Sequence, residues 1–152
     1  MTFLKPFWKK LKNLAPNFKS QSAVELSNDL GRYLTSSGWF ARTKSRVKPN
    51  AFMPAPDSQL SVFNIENLEE KEIKRISEKY VLPKRPQINI HGYAKNLAKD
   101  FKKAKLSIIK AEPPPKHINI GNWPESKDEQ MIIAQELAEK ATLNIFDTKI
   151  SN

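Results

Sequence analysis

The chain has only two histidines, and one of them, His117, lies in the run Ala111-Glu-Pro-Pro-Pro-Lys-His-Ile-Asn-Ile-Gly-Asn-Trp-Pro124. Three consecutive prolines fix φ and remove three amide donors, which predicts a stiff extended strut delivering His117 to a short Ile-Asn-Ile strand. A Gly-Asn-Trp-Pro turn then leads into a helix, so a titratable group stands on a rigid approach to a helix N-terminus. Acid–base chemistry and phosphate binding both use such a placement. The segment Pro86-Gln-Ile-Asn-Ile-His-Gly-Tyr93 echoes this run and carries the other histidine, His91. If the two Ile-Asn-Ile segments are neighbouring strands, both imidazoles reach one cleft and can act as general acid and base on a phosphodiester. The two-histidine phosphoesterase pattern asks for a serine-type hydroxyl two residues after each histidine. Tyr93 and Asn119 stand there instead. Glu112 is the one carboxylate placed near His117 in sequence. His117, His91 and Glu112 are therefore the catalytic candidates, set against a role for His117 in bonding a backbone carbonyl and holding its loop.

A second candidate site is electrostatic. In Trp39-Phe-Ala-Arg-Thr-Lys-Ser-Arg-Val-Lys-Pro49, Arg42, Lys44, Arg46 and Lys48 occupy alternate positions. In an extended backbone, alternate side chains share a face, so the four cations would line one edge with Trp39 at its head. Phosphate tracking by cations with base stacking on an aromatic ring has this composition. The alternative is a solvated loop.

The net charge of +10 is polarised along the chain. Residues 1–50 hold ten basic against two acidic residues, residues 51–110 twelve against seven, and residues 111–152 four against seven. This asymmetry favours a polyanionic partner, nucleic acid or an anionic membrane, although it also serves solubility. The absence of cysteine excludes disulfides, thiolate catalysis and Cys-based zinc or iron–sulfur sites. With only two histidines as well, a transition-metal site is not expected. No phosphate-binding glycine loop and no nucleophile elbow occurs, so no cofactor is implied. No apolar run approaches the roughly 20 residues of a membrane span, and lysines break up the N-terminus where a signal peptide would be apolar, so a cytoplasmic location is expected.

The elements that must position these residues follow from apolar spacing. Phe3, Leu4, Phe7, Trp8, Leu11 and Leu14 mark one face of an amphipathic helix in an N-terminal appendage, residues 1–20. A second helix is expected from Ser22, with Glu25 completing a capping box and Leu26, Leu30, Tyr33 and Leu34 as its buried stripe. Leu60–Ile65 is the clearest strand. A helix over 67–80, a short strand at 87–90, a helix marked by Leu97, Ala98, Phe101 and Ala104, and a strand at 106–109 follow. Beyond the prolines, Ser126 and Glu129 cap a last helix, and 143–146 adds a strand. The expected fold class is α+β: a small mixed β-sheet with helices packed on one face, preceded by the N-terminal helix. Residues 21–150 would form one domain, with 21–58 a helix plus basic loop and 59–150 the sheet and helix core.

From about Ser37 to Leu137 the chain resembles a recurring kind of small bacterial protein without assigned function. The likeness rests on Ser37-Gly-Trp-Phe40, Val47-Lys-Pro-Asn-Ala-Phe52, Leu60-Ser-Val-Phe63 and Pro114-Pro-Lys-His-Ile-Asn-Ile120 with Trp123-Pro124. Those proteins often carry arginine after Ser-Val-Phe where this chain has Asn64. That departure weakens an enzymatic reading if the arginine takes part in chemistry. The resemblance implies a bacterial or mobile-element origin and no particular activity.

Taken together, the residues point first to a small basic protein that engages nucleic acid through phosphate contacts from Arg42, Lys44, Arg46 and Lys48, with Trp39 as a stacking platform. The alternatives are an enzyme acting on nucleic acid or a nucleotide, with His117 as acid or base helped by His91 or Glu112, and an adaptor that docks residues 1–20 on a membrane or a partner protein.

Overall fold

The computed structural model describes residues 23–146. The N-terminal amphipathic helix expected over 1–20, and the chain beyond 146, lie outside the described residues.

Eight strands and three α-helices follow one another: β1 (Asp29–Leu34), β2 (Phe40–Ala41), β3 (Arg46–Val47), β4 (Leu60–Asn64), α1 (Glu70–Ile76), β5 (Gly92–Leu97), α2 (Ala98–Lys103), β6 (Ser107–Lys110), β7 (His117–Gly121), α3 (Lys127–Lys140) and β8 (Thr142–Ile145). Six of the strands form one sheet in the order β6-β7-β4-β1-β5-β8, and β2 and β3 pair as a separate ribbon. The α+β class is as expected, but every pairing in the sheet is antiparallel, not mixed. Helices also cover both faces. Leu30, Leu34, Leu60, Val62, Ala94, Ile118 and Ile120 pack with Phe101 of α2 and with Ala134, Leu137 and Ala138 of α3. Tyr33, Phe63 and Tyr93, one residue out of step on the same strands, pack with Ile73 and Ile76 of α1 and with Phe146. Strands apolar on both faces need cover on both, which is why helices on one side do not suffice.

The helix expected from Ser22 does not form over the described residues 23–34, which hold a turn followed by β1, so this segment is part of the main sheet. Leu30 and Leu34 fit a helical stripe and a strand equally well, since four residues are one helical turn or two strand repeats. The choice is made by burial on both faces. Within the strand, Gly31 leaves room for the Ile65 side chain, which a Cβ there would meet at 3.2 Å. Residues 86–90 form turns and open chain instead of a strand, and β5 begins at Gly92. A Cβ at Gly92 would lie 2.0 Å from the Asn144 carbonyl oxygen of the neighbouring β8, so only glycine lets the edge strand close here.

The helix expected over 67–80 starts later, capped by Glu69 with Glu72, and Asn67 takes a left-handed turn conformation. At its end, α1 widens into a π-type turn over Ser77–Val81 and then a 3₁₀ turn over Leu82–Lys84. Such widened turns re-aim side chains, and here they bring Tyr80, Val81, Lys84 and Arg85 over the sheet. The last helix starts where expected, with the Glu129 amide donating to Ser126 Oγ at 3.4 Å. Trp123 is buried and donates through Nε1 to the Ile120 carbonyl at 2.9 Å, so it seals the joint between β7 and α3.

Candidate functional site

The proline run is not an extended strut. With cis bonds at Glu112–Pro113 and Pro113–Pro114, it folds into the loop of a hairpin whose arms are β6 and β7. The Ala111 amide donates to the His117 carbonyl at 2.9 Å, and the His117 amide to the Pro114 carbonyl at 3.2 Å. Donor-free prolines suit a loop whose remaining amides are this scarce and this committed. Glu112 serves the same loop, its Oε2 accepting the Lys116 amide at 2.9 Å where Lys116 takes a left-handed conformation.

His117 is thereby fixed at the first position of β7, opposite Phe63 of β4, whose ring centroid lies 5.1 Å from the imidazole. Its Nδ1 is 3.0 Å from the Ala111 carbonyl oxygen and its Nε2 is 2.7 Å from Ser61 Oγ. A carbonyl oxygen can only accept, so Nδ1 carries the proton in the neutral ring. Nε2 then holds the lone pair, and the Ser61 hydroxyl donates to it. Ser61 pairs with Asn119, two residues along β7, which makes it the same-face diagonal neighbour of His117. A serine hydroxyl on an imidazole oriented through its far nitrogen is the pairing of a nucleophile with a general base.

The pair opens onto a cavity of about 240 Å³ that is also lined by Arg32, Trp39, Lys84 and Arg85, over a floor that includes Tyr33 and Phe63. Arg32 leaves β1 to donate through Nε to the Ala51 carbonyl at 2.8 Å and through Nη1 to the Ser61 carbonyl at 3.1 Å. Its guanidinium carbon lies 4.9 Å from the centre of the Trp39 ring. These contacts hold the guanidinium in place but supply no negative charge. Among the described residues, no Asp or Glu lines the cavity. Burial, and secondly the positive charge of Arg85, pull Arg32 from its ordinary value of 12.5 down to about 10. A guanidinium that has lost solvent, faces a second guanidinium and meets no carboxylate is an electrostatic deficit that an anion would fill.

The structure does not bring the two histidines together. β4 and β1 stand between β7 and β5, and His91 packs its ring 5.4 Å from Phe40, outside the cavity. The echo between 86–93 and 115–123 therefore has no counterpart in the fold, since only the second copy forms a strand. The basic ladder is also rearranged. Arg42 and Lys44 sit in a 3₁₀ turn, Ser45 adopts a left-handed conformation, and the chain reverses so that Ala41 pairs with Arg46 and Phe40 with Val47. The reversal pairs Val47 with Phe40 and leaves Val47 buried. Arg42, Lys44 and Arg46 are exposed around the hairpin, and Lys48 is half-buried at its base, its amide donating to the Trp39 carbonyl at 2.8 Å. Trp39 is thus the link between the basic hairpin and the cavity.

Ser61, Arg32, Lys84 and Arg85 are the site residues that spacing alone did not single out. Arg32 offered a signal: it lies between Leu30 and Leu34 at two-residue intervals, so a strand places a charge among buried leucines. Asn64, where the resembled proteins often have arginine, is buried with its Nδ2 3.3 Å from Asn28 Oδ1 and its Oδ1 accepting the Glu66 amide. It does not line the cavity.

Among the described residues no group of three or more His, Cys, Asp or Glu side chains could hold a metal ion, and no helix is long and apolar enough to cross a membrane. Comparison with protein-family models, with curated proteins and with solved structures finds no match.

Proposed function

We propose that the protein binds a small phosphate-bearing ligand, such as a nucleotide, in the cavity between β1, β4, β7 and the turn that follows α1. One observation carries this reading: Arg32, Arg85 and Lys84 converge on a cavity that no carboxylate lines, and Arg32 is held there by two backbone carbonyls and an aromatic ring instead of an ion pair. Guanidinium groups match phosphate oxygens in a planar fork, and a fork preset by two other bonds loses little freedom on binding. Trp39 and Tyr80 give the walls an aromatic surface for a ring attached to the phosphate. Calorimetric titration with inorganic phosphate and with AMP tests the proposal. Saturable binding that is weakened by Arg85→Ala supports it, and heat no different from sodium chloride at equal ionic strength refutes it.

Binding of nucleic acid is a second reading, and the link through Trp39 is the observation that favours it. The exposed Arg42, Lys44 and Arg46 belong to the hairpin that follows Trp39, and Trp39 lines the cavity, so a strand with its terminal phosphate at Arg32 would continue past Trp39 toward them. Fluorescence anisotropy with short 5′-phosphorylated DNA and RNA at two salt concentrations separates the readings. Affinity that depends on both the 5′-phosphate and the hairpin cations supports the second. Affinity for nucleotide alone leaves the first.

A further inference from the structure

We infer that Ser61 is a nucleophile, and that the protein hydrolyses phosphate monoesters through a phosphoserine at this position with His117 as base and then acid; the inference rests on the phosphate-binding reading above. Three features of the geometry bear on the Ser61–His117 pair. The Ser61 proton is donated to His117 Nε2 across 2.7 Å, within the range for a base that takes a proton in the transition state. The Ala111 carbonyl, 3.0 Å from Nδ1, fixes the tautomer and stabilises the positive ring that forms, the role a third group plays in a nucleophile–base–orienter set. Arg32, bonded to the carbonyl of Ser61 itself, is tied to the residue whose side chain would attack. A serine that only closed a strand pair would not need a cationic cavity beside its hydroxyl.

The step balances without a metal or a second reactant other than water. Ser61 Oγ attacks phosphorus as its proton passes to His117 Nε2, and the bond from phosphorus to the alcohol oxygen breaks. The departing oxygen, in line on the far side of phosphorus, takes a proton from solvent water and leaves as the alcohol, while His117 keeps the Ser61 proton. Water then attacks the phosphoserine from that far side and loses one proton to solvent, as Ser61 Oγ leaves and takes its proton back from Nε2, releasing inorganic phosphate. The three cations face the phosphoryl oxygens, where charge gathers in the transition state.

The test uses the full chain with 4-nitrophenyl phosphate, which has an activated leaving group and does not depend on the natural alcohol. Release of 4-nitrophenol is followed alongside calorimetric binding of inorganic phosphate. Turnover is expected, abolished by Ser61→Ala and reduced on the order of 10²–10⁴-fold by His117→Ala, with partial rescue by added imidazole. Acid quenching followed by peptide mass spectrometry should place the phosphate on Ser61. The Ser61→Ala protein should still bind phosphate, which also shows that it is folded. Phosphate binding without turnover, or turnover that survives Ser61→Ala, overturns the nucleophile and leaves the binding site standing. Hydrolysis of 4-nitrophenyl acetate but not of the phosphate overturns the substrate class. Absence of phosphate binding to the unaltered protein overturns both readings together.

Discussion

Replacing Arg85 by alanine should have opposite effects on stability and on binding. Arg85 is exposed, and its charge is one of the two causes that depress the Arg32 guanidinium. Removing a repelling charge that sits in solvent should stabilise the ligand-free protein slightly, by about 0.5 kcal/mol given the small worth of screened surface pairs. That corresponds to a rise of roughly 1–2 °C in Tm for a chain of this length. In the complex the same guanidinium makes a charge-assisted bond to the anion, worth about 1.5–3 kcal/mol, so Kd for phosphate should weaken by roughly 10- to 100-fold. Thermal melts at graded phosphate concentrations read both quantities at once, because bound ligand adds stability by mass action. The variant should melt at or slightly above the unaltered protein without phosphate and clearly below it at high phosphate. The repulsive part should fade at high sodium chloride. A variant that is less stable without ligand, and that gains as much from phosphate as the parent, would refute the reasoning.

Four further outcomes follow from the fold. The Tyr33 hydroxyl, which burial and then Tyr93 hold neutral well above the ordinary range, donates to the Ile73 carbonyl, so Tyr33→Phe should cost about 1–2 kcal/mol in urea denaturation at pH 7. Tyr93 is likewise pushed up to about 12 by burial first and Glu70 second. The unfolded chain loses these protons from about pH 10 while the folded chain keeps them, so this stability is complete below pH 10 and falls above it. The fall should be smaller in Tyr33→Phe, and Arg32, with its lowered value, contributes with the opposite sign. Gly92→Ala should cost about 3 kcal/mol or more and expose the amides of β8 to hydrogen exchange, since the new Cβ meets the Asn144 carbonyl at 2.0 Å. Ile118→Ala, beneath the site in a fully buried position of β7, should cost about 2–5 kcal/mol in denaturant unfolding with the m-value unchanged.

How far the sequence could be read depended on how local each determinant is. The strand at 60–64, the strand at 107–110 and the helix from Lys127 were legible because alternation, apolar spacing and the Ser126 cap act within a few residues. β1 was not, because Leu30 and Leu34 fit both periods and the decision lies in covering both faces of the sheet with helices from far along the chain. The same misreading concealed Arg32, which on a helix joins a polar face and on a strand enters a cavity. His117 was legible as a positioned imidazole. Its partner was not, since Ser61 is 56 residues away and meets it only through the β4–β7 register. His91 shared the Ile-Asn-Ile surroundings but not a neighbouring strand. Sheet order, which short motifs do not encode, separates the two. The basic run Arg42–Lys48 is not the extended edge that alternation suggested, because the chain turns at Arg42–Lys44 and pairs Arg46 and Val47 back on Ala41 and Phe40, contacts that alternation does not encode.

The central claim is that a phosphate group sits between Arg32 and the Ser61–His117 pair. Side-chain nitrogen NMR during titration with inorganic phosphate tests it most directly, with Arg32 Nε and His117 Nε2 as reporters. The account predicts that both resonances move together along one saturable curve, while arginine signals from the Arg42–Arg46 hairpin stay nearly fixed. Shifts confined to the hairpin, or no shift at Arg32 and His117 at saturating phosphate, would contradict it.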